Sequence, residues 1–166
     1  RAITPATRLI FLNSPHNPTG AVLTRDDIRA IGEVAKAHDL WILSDEVYES
    51  LVYDGPFASP FDEADLAERT VVASSLSKSH AAPGFRAGWC AGSPEFIARL
   101  LPLAETMLFG AQPFIADMAV QALSHDFAIT TQMRHSYAAR AAHVAQVLAG
   151  VPGLRVHPPQ AGMFVM

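Results

Sequence analysis

Leu9-Ile10-Phe11-Leu12-Asn13-Ser14-Pro15-His16-Asn17-Pro18-Thr19-Gly20 is the stretch that decides the fold, because an unbroken apolar run empties into a turn of prolines, asparagines and a glycine. A short apolar run bounded by turn residues reads as a strand buried on both faces, the usual state of a parallel strand. Each proline pushes its predecessor toward extended geometry, and Gly20 permits a backbone reversal, so Asn17 is held at the strand's carboxyl end. In open α/β sheets ligands sit at that end. Read alone, the segment Asn13 to Gly20 is equally a well-formed turn and nothing more.

Trp41-Ile42-Leu43-Ser44-Asp45-Glu46-Val47-Tyr48 repeats the pattern: a short apolar strand delivers an acid to its carboxyl end, with a tyrosine three residues on. That spacing brings carboxylate and phenol to one side of the next helical turn. A buried carboxylate is costly unless a cation pairs with it, and a protonated ring nitrogen of a cofactor is one such cation. The competing reading makes Asp45 the cap of the following helix.

Ser75-Leu76-Ser77-Lys78, followed by Pro83-Gly84-Phe85-Arg86, places one lysine between a hydroxyl and a guanidinium. A lysine amine forms a Schiff base with a carbonyl, while a serine hydroxyl and a forked arginine suit phosphate oxygens. Covalent chemistry beside a bound phosphate is the reading; an ordinary loop with a solvated lysine is the alternative.

The three runs occur together, in fixed order, each at an expected strand end. In that combination the chain resembles the fold-type I, pyridoxal 5'-phosphate (PLP)-dependent aminotransferases of class I/II, over nearly its whole length to Gly162-Met163-Phe164. The resemblance implies an α/β fold: a three-layer, mostly parallel sheet flanked by helices, forming part of a large cofactor domain, with the beginning of a small α+β domain. It implies PLP as cofactor. Lys78 is similar to the lysine that holds PLP as a Schiff base and then moves the substrate proton. Asn17 and Tyr48 are similar to the pair that hydrogen-bonds the ring oxygen, Asp45 to the partner of the pyridine nitrogen, and Ser75 and Arg86 to phosphate ligands. Catalysis would thus rest on Lys78, Asp45 and Tyr48. The implied activity moves an amino group from an amino acid to a 2-oxo acid with ping-pong kinetics. The implied assembly is a homodimer with its active site at the subunit interface.

Half of the 166 residues are hydrophobic, and a net charge of −4 leaves no basic footprint for nucleic acid. No apolar stretch reaches the roughly eighteen residues needed to span a bilayer, and no charged start precedes an apolar signal core. The one cysteine, Cys90, cannot form an internal disulfide. Its apolar surroundings make it a small core residue, and a cytoplasmic location is the expectation. The seven histidines are scattered without the i, i+4 pairing beside a glutamate that zinc hydrolases show, so no metal site is expected.

Along the chain, strands and helices alternate. Thr24 reads as the N-cap of a helix with Ile28, Ile31 and Ala35 on its inner stripe. The strand at Trp41 to Ser44 follows, then an irregular acidic stretch to Arg69, then Thr70 to Ser75 as the strand presenting Lys78. Arg86 is expected to begin another strand through Ala91. Ser93-Pro94 reads as N-cap and first turn of a helix to about Ala104. Met107-Leu108-Phe109-Gly110 lines the substrate entrance by resemblance, though core packing is the default for such side chains. Gln112-Pro113 restarts a helix, and Asp126 begins the longest one, with Met133, Tyr137, Ala141, Val144 and Leu148 on one stripe.

Gly150-Val151-Pro152-Gly153 breaks that helix, and Leu154 to His157 and Gly162 to Met166 read as two short strands. The expected division is 1–149 for the cofactor domain with its connecting helix and 150–166 for the start of the small domain. By the resemblance, an upstream phosphate loop, a ring-stacking aromatic and a downstream substrate-binding arginine lie outside these residues. Arg134, Arg140 and Arg155 are poor substitutes. The chain therefore reads as part of a longer polypeptide and is expected to be inactive alone. A PLP-dependent lyase or decarboxylase of the same fold, and the aminotransferase-like sensor domain of a transcriptional regulator, are the alternative functions. The Ser-Leu-Ser-Lys-Ser-His run resembles transaminases that use pyruvate as acceptor, including those acting on basic amino acids.

Overall fold

A computed structural model describes residues 2–125 and 128–166. Four strands form one sheet in the order of the chain: β1 (Leu9–Asn13), β2 (Trp41–Asp45), β3 (Thr70–Ser75) and β4 (Gly88–Ala91). β1, β2 and β3 run parallel, and β4 is an antiparallel edge strand on β3. The helices are α1 (Arg25–Ala37), α2 (Leu76–Ser79), α3 (Pro94–Leu108), α4 (Pro113–Ser124) and α5 (Ala128–Ala149). The sheet is thus mostly parallel and flanked by helices, as expected. Asp126, expected to begin the longest helix, lies outside the described residues.

α1 forms where the sequence asks for it. The Thr24 hydroxyl accepts from the Asp27 backbone N–H, and the Asp27 carboxylate accepts from the Thr24 backbone N–H, a reciprocal cap that satisfies otherwise orphaned donors. Its inner stripe buries Ile28, Gly32 and Ala35, while Ile31 is half-buried. A Cβ at Gly32 would come within 2.5 Å of Leu66 Cδ1, so any larger residue there requires the buried Leu66 side chain to move. Leu12, Ile28, Ala35, Leu40, Ile42 and Leu66 form the core between α1 and the sheet. The acidic stretch before β3 is held over α1 by Glu63 on Arg25 and Arg29, and by Asp65 on Lys36.

The opposite sheet face is less covered. Leu9, Phe11 and Trp41 are exposed, and Phe96 of α3 meets Trp41 with ring centroids 5.5 Å apart.

Several expectations are corrected. Arg86 does not begin a strand: it adopts a left-handed conformation (φ 56°) after a 3-10 turn at Pro83–Phe85, because the chain must reverse there to lie antiparallel beside β3. Cys90 is exposed rather than in the core, since β4 is the edge of the sheet. α3 runs past Ala104 and Pro102 to Leu108 and stops at Phe109 in a left-handed conformation, so Met107, Leu108 and Phe109 stand in solvent rather than in a core. On α5 the buried positions are Ala141 and Ala145, and Val144 is exposed, because the stripe follows a four-residue step there. Residues 154–157 and 162–166 are not strands. A single backbone bond, His157 N–H to Met166 O (2.9 Å), joins them, too few for a ladder.

Candidate active site

Strand register brings three loop exits level. Asn13 pairs with Asp45 and Asp45 with Ala73, and the ladder continues one step through Ser14 N–H to Asp45 O (3.2 Å) and Glu46 N–H to Ala73 O (2.9 Å). The segments bearing Asn17, Tyr48 and Lys78 therefore leave the sheet side by side at its carboxyl edge.

The exit of β1 is a dense local turn. Asn13 Oδ1 accepts from the Asn17 N–H (2.8 Å), His16 N–H reaches Ala21 O (2.8 Å), and Gly20 N–H reaches His16 O (2.8 Å). The buried Ser14 hydroxyl accepts from the Leu23 N–H (3.0 Å). Asn17 itself is exposed. Gly20 has φ +71°, and a Cβ there would meet Pro159 Cβ at 2.4 Å and Ala161 O at 2.7 Å, so the position admits only glycine without rearrangement. Gln160 passes across this turn: its N–H donates to Gly20 O (3.0 Å), its Oε1 accepts from Val22 N–H (3.1 Å), and its carbonyl accepts from Tyr53 N–H (2.9 Å).

At the exit of β2, Asp45 is half-buried and its Oδ1 accepts from the Val47 N–H (3.3 Å). No α-helix follows, so Asp45 turns the chain locally instead of capping a helix. Tyr48 is buried, and its phenol pKa is pushed up by burial first, then by the charge of Asp45 and by Tyr137. The Lys78 ammonium, half-buried, stands 5.9 Å from the centre of the Tyr48 ring. Asp45, Tyr48 and Lys78 thus occupy one neighbourhood.

Ser75 and Arg86 behave differently. Ser75 ends β3 as the N-cap of α2, its hydroxyl accepting from the Ser77 N–H (3.3 Å). Arg86 is exposed and donates from Nη1 to Pro83 O (2.9 Å).

Glu46 was not singled out by the motifs. It is buried, accepts a hydrogen bond from the Ser59 hydroxyl (2.7 Å), and burial pushes its carboxyl up to about 7, against the lowering effect of Ser59 and Ser44. Glu49, one turn on, is pushed up by burial as well. The signal lay in strand alternation: Ile42, Ser44 and Glu46 share the buried parity. Among the described residues, no cluster of three or more His, Cys, Asp or Glu is arranged to hold a metal ion, and no helix is long and apolar enough to cross a membrane.

A family model for aminotransferase class I and II matches residues 1–166. The chain belongs to that family. It is 48% identical over 164 residues to the arginine–pyruvate transaminase AruH of Pseudomonas aeruginosa, covering 99% of this chain and 42% of that protein. Among solved structures it resembles a Pyrococcus protein (TM-score 0.94, 32% identity, 99% of this chain and 43% of that one). It also resembles N-succinyldiaminopimelate aminotransferase from Mycobacterium tuberculosis (TM-score 0.86, 36% identity, 99% of this chain and 42% of that one). The class I and II chain described here thus spans about two-fifths of the length of the curated relatives it matches.

Proposed function

We propose that this chain is the lysine-bearing portion of a PLP-dependent aminotransferase that moves an amino group from an amino acid to a 2-oxo acid. The observation that carries the reading is the Lys78 ammonium set 5.9 Å from the buried Tyr48 ring, on the sheet edge that also delivers Asp45. The donor set suits PLP. Lys78 supplies the amine for its aldehyde, Asp45 a carboxylate for its ring nitrogen, Tyr48 and Asn17 donors for its ring oxygen, and Ser75 and Arg86 donors for its phosphate. Among the described residues, the Ser75 hydroxyl and the Arg86 guanidinium make only local bonds, to Ser77 N–H and Pro83 O, and so are available to a ligand at small cost.

Lys78 has two tasks in this reading. Its amine would hold the cofactor through its aldehyde carbon with loss of water, and as a free base it would take the proton from the substrate carbon that bears the nitrogen and give a proton back. When bound, PLP supplies the electron sink for the charge left on that carbon. Asp45 would hold the ring nitrogen through its carboxylate, which would favour that sink. Tyr48 would orient the ring through its hydroxyl.

The 48% identical relative is named an arginine–pyruvate transaminase, which makes arginine with pyruvate the first substrate pair to assay. A homodimer is part of the proposal, supported by the exposed apolar side chains Met107, Leu108 and Phe109 at the end of α3. A cytoplasmic setting is supported by the single, unpaired cysteine.

The test is Lys78→Ala in a polypeptide of the relatives' length carrying these residues. The expected result is loss of the near-visible absorption of bound cofactor and a fall in transfer of about a thousandfold or more. Retention of both would remove Lys78 from its role. Borohydride trapping followed by peptide mapping should put the cofactor label on Lys78.

A further inference from the structure

α2, which carries Lys78, is a single turn of four residues, far shorter than a helix that persists by its own hydrogen bonds. What holds Lys78 in place must therefore lie outside α2. At the start of the turn, Ser75 caps it through the Ser77 N–H. At its end, two consecutive residues reach distant helices. The Ser79 carbonyl accepts from Thr130 Oγ1 of α5 (2.9 Å). The His80 ring lies between Ser79 Oγ (2.8 Å from Nδ1) and the Ala122 carbonyl of α4 (3.1 Å from Nε2).

The Ala122 carbonyl assigns one of the ring's protons. A carbonyl oxygen only accepts, so Nε2 carries the hydrogen toward Ala122. The Ser79 hydroxyl, with one hydrogen, lies within reach of both Nδ1 (2.8 Å) and Ser75 O (3.3 Å). The backbone N–H of His80 also closes on Leu76 O (3.2 Å), which makes the residue the C-terminal stop of α2. His80 thus joins the end of the lysine-bearing turn to a helix 42 residues further along the chain.

We propose that His80 is a positioning residue for Lys78: its Nε2–H bond to Ala122 fixes α2 against α4 and so holds the lysine amine at the Tyr48 side of the site. This rests on the reading of Lys78 as the cofactor-bearing amine. Without the bond the turn retains its Ser75 cap and its Thr130 contact but gains freedom to rock, and the amine spends less time where it reacts.

The test uses the cofactor-loaded polypeptide of the relatives' length with His80→Ala and His80→Gln; the glutamine amide can donate near where Nε2 does. For His80→Ala the expected result is a fall in kcat of about tenfold with KM changed less than about twofold, and cofactor release faster by about fivefold. His80→Gln should recover most of both losses. Thr130→Val, which removes the neighbouring tie while keeping shape, should act in the same direction and more weakly, and serves if His80→Ala does not fold. The apoprotein's melting midpoint is the readout independent of turnover. Wild-type behaviour of His80→Ala, or equal losses in alanine and glutamine variants with a matching fall in apoprotein melting, would overturn the inference by leaving His80 a packing residue. Failure of the underlying reading is separable: the wild-type protein would then lack the near-visible absorption, or carry the borohydride label away from Lys78.

Discussion

The loops after β1 and β3 deliver the two ends of the candidate site by opposite means. The turn holding Asn17 is closed mainly by its own neighbours: Asn13 with Asn17, His16 with Ala21 and Gly20, and Ser14 with Leu23 are bonds across ten residues or fewer, and Gln160 adds two from afar, to Gly20 O and Val22 N–H. The turn holding Lys78 is tied at its far end by Ala122 and Thr130, from helices 42 and 51 residues away in sequence from their partners. The first kind of loop takes most of its shape from short-range bonds, with Gln160 laid across it afterwards. The second is fixed only when the fold is complete, which places the reactive amine under the control of packing elsewhere.

Breaking the Asn17 turn where residues 159–161 pack on it should have the largest effect on stability. Gly20→Ala forces a left-handed alanine and drives a methyl into Pro159 and Ala161 O, with an expected loss of about 3 kcal/mol in urea unfolding. A loss below about 1 kcal/mol would mean that the turn and the 159–161 segment packed on it yield easily.

The middle exit, after β2, sharpens the contrast through pH. Glu46 has a folded pKa of about 7 against an ordinary 4.5, so the folded chain keeps a proton that the unfolded chain releases. Its contribution to stability is therefore fully present below about 4.5 and is lost as pH rises toward and through about 7. Glu49 shifts in the same direction, while Asp62 adds like charge near Glu46. Glu46→Gln keeps an acceptor for Ser59 and cannot ionise, so it should be more stable than wild type at pH 8 by about 2 kcal/mol and nearly equal to it at pH 4. Thermal melts across that range give the answer, and parallel curves for the two proteins would show Glu46 to be ordinary.

Ser14→Ala is the smallest of the changes. It leaves the Leu23 N–H without its acceptor and should cost about 1 kcal/mol, with faster amide exchange at Leu23 and no change at Ser79 or His80. Faster exchange at both sites would erase the distinction between a local and a tethered loop.

The same distinction explains what was legible in the sequence. The three parallel strands, the Thr24 cap and the convergence of Asp45, Tyr48 and Lys78 rest on short-range patterns: apolar runs, a cap three residues from its partner, motifs at strand ends. Arg86 was misplaced because the reversal into an antiparallel β4 depends on where β3 already lies. Cys90 has apolar neighbours in sequence, yet an edge strand leaves it exposed, and edge position is a property of the sheet. Leu154 to His157 and Gly162 to Met166 have strand-like composition, but a strand exists only with a ladder, and here one bond joins them. The partners of His80, like the burial of Glu46 beneath Ser59, are set by contacts that no window of sequence contains.

Gln160 gives the loops after β1 and β2 a shared mechanical fate. Because it grips Gly20 and Val22 on one side and Tyr53 on the other, a tug on the strand of chain from 158 to 162 is delivered to both at once, as a lever loads two springs through one pin. The α2 turn is not on that pin, so such a pull would shift the Asn17 and Tyr48 loops relative to the lysine rather than carry all three together.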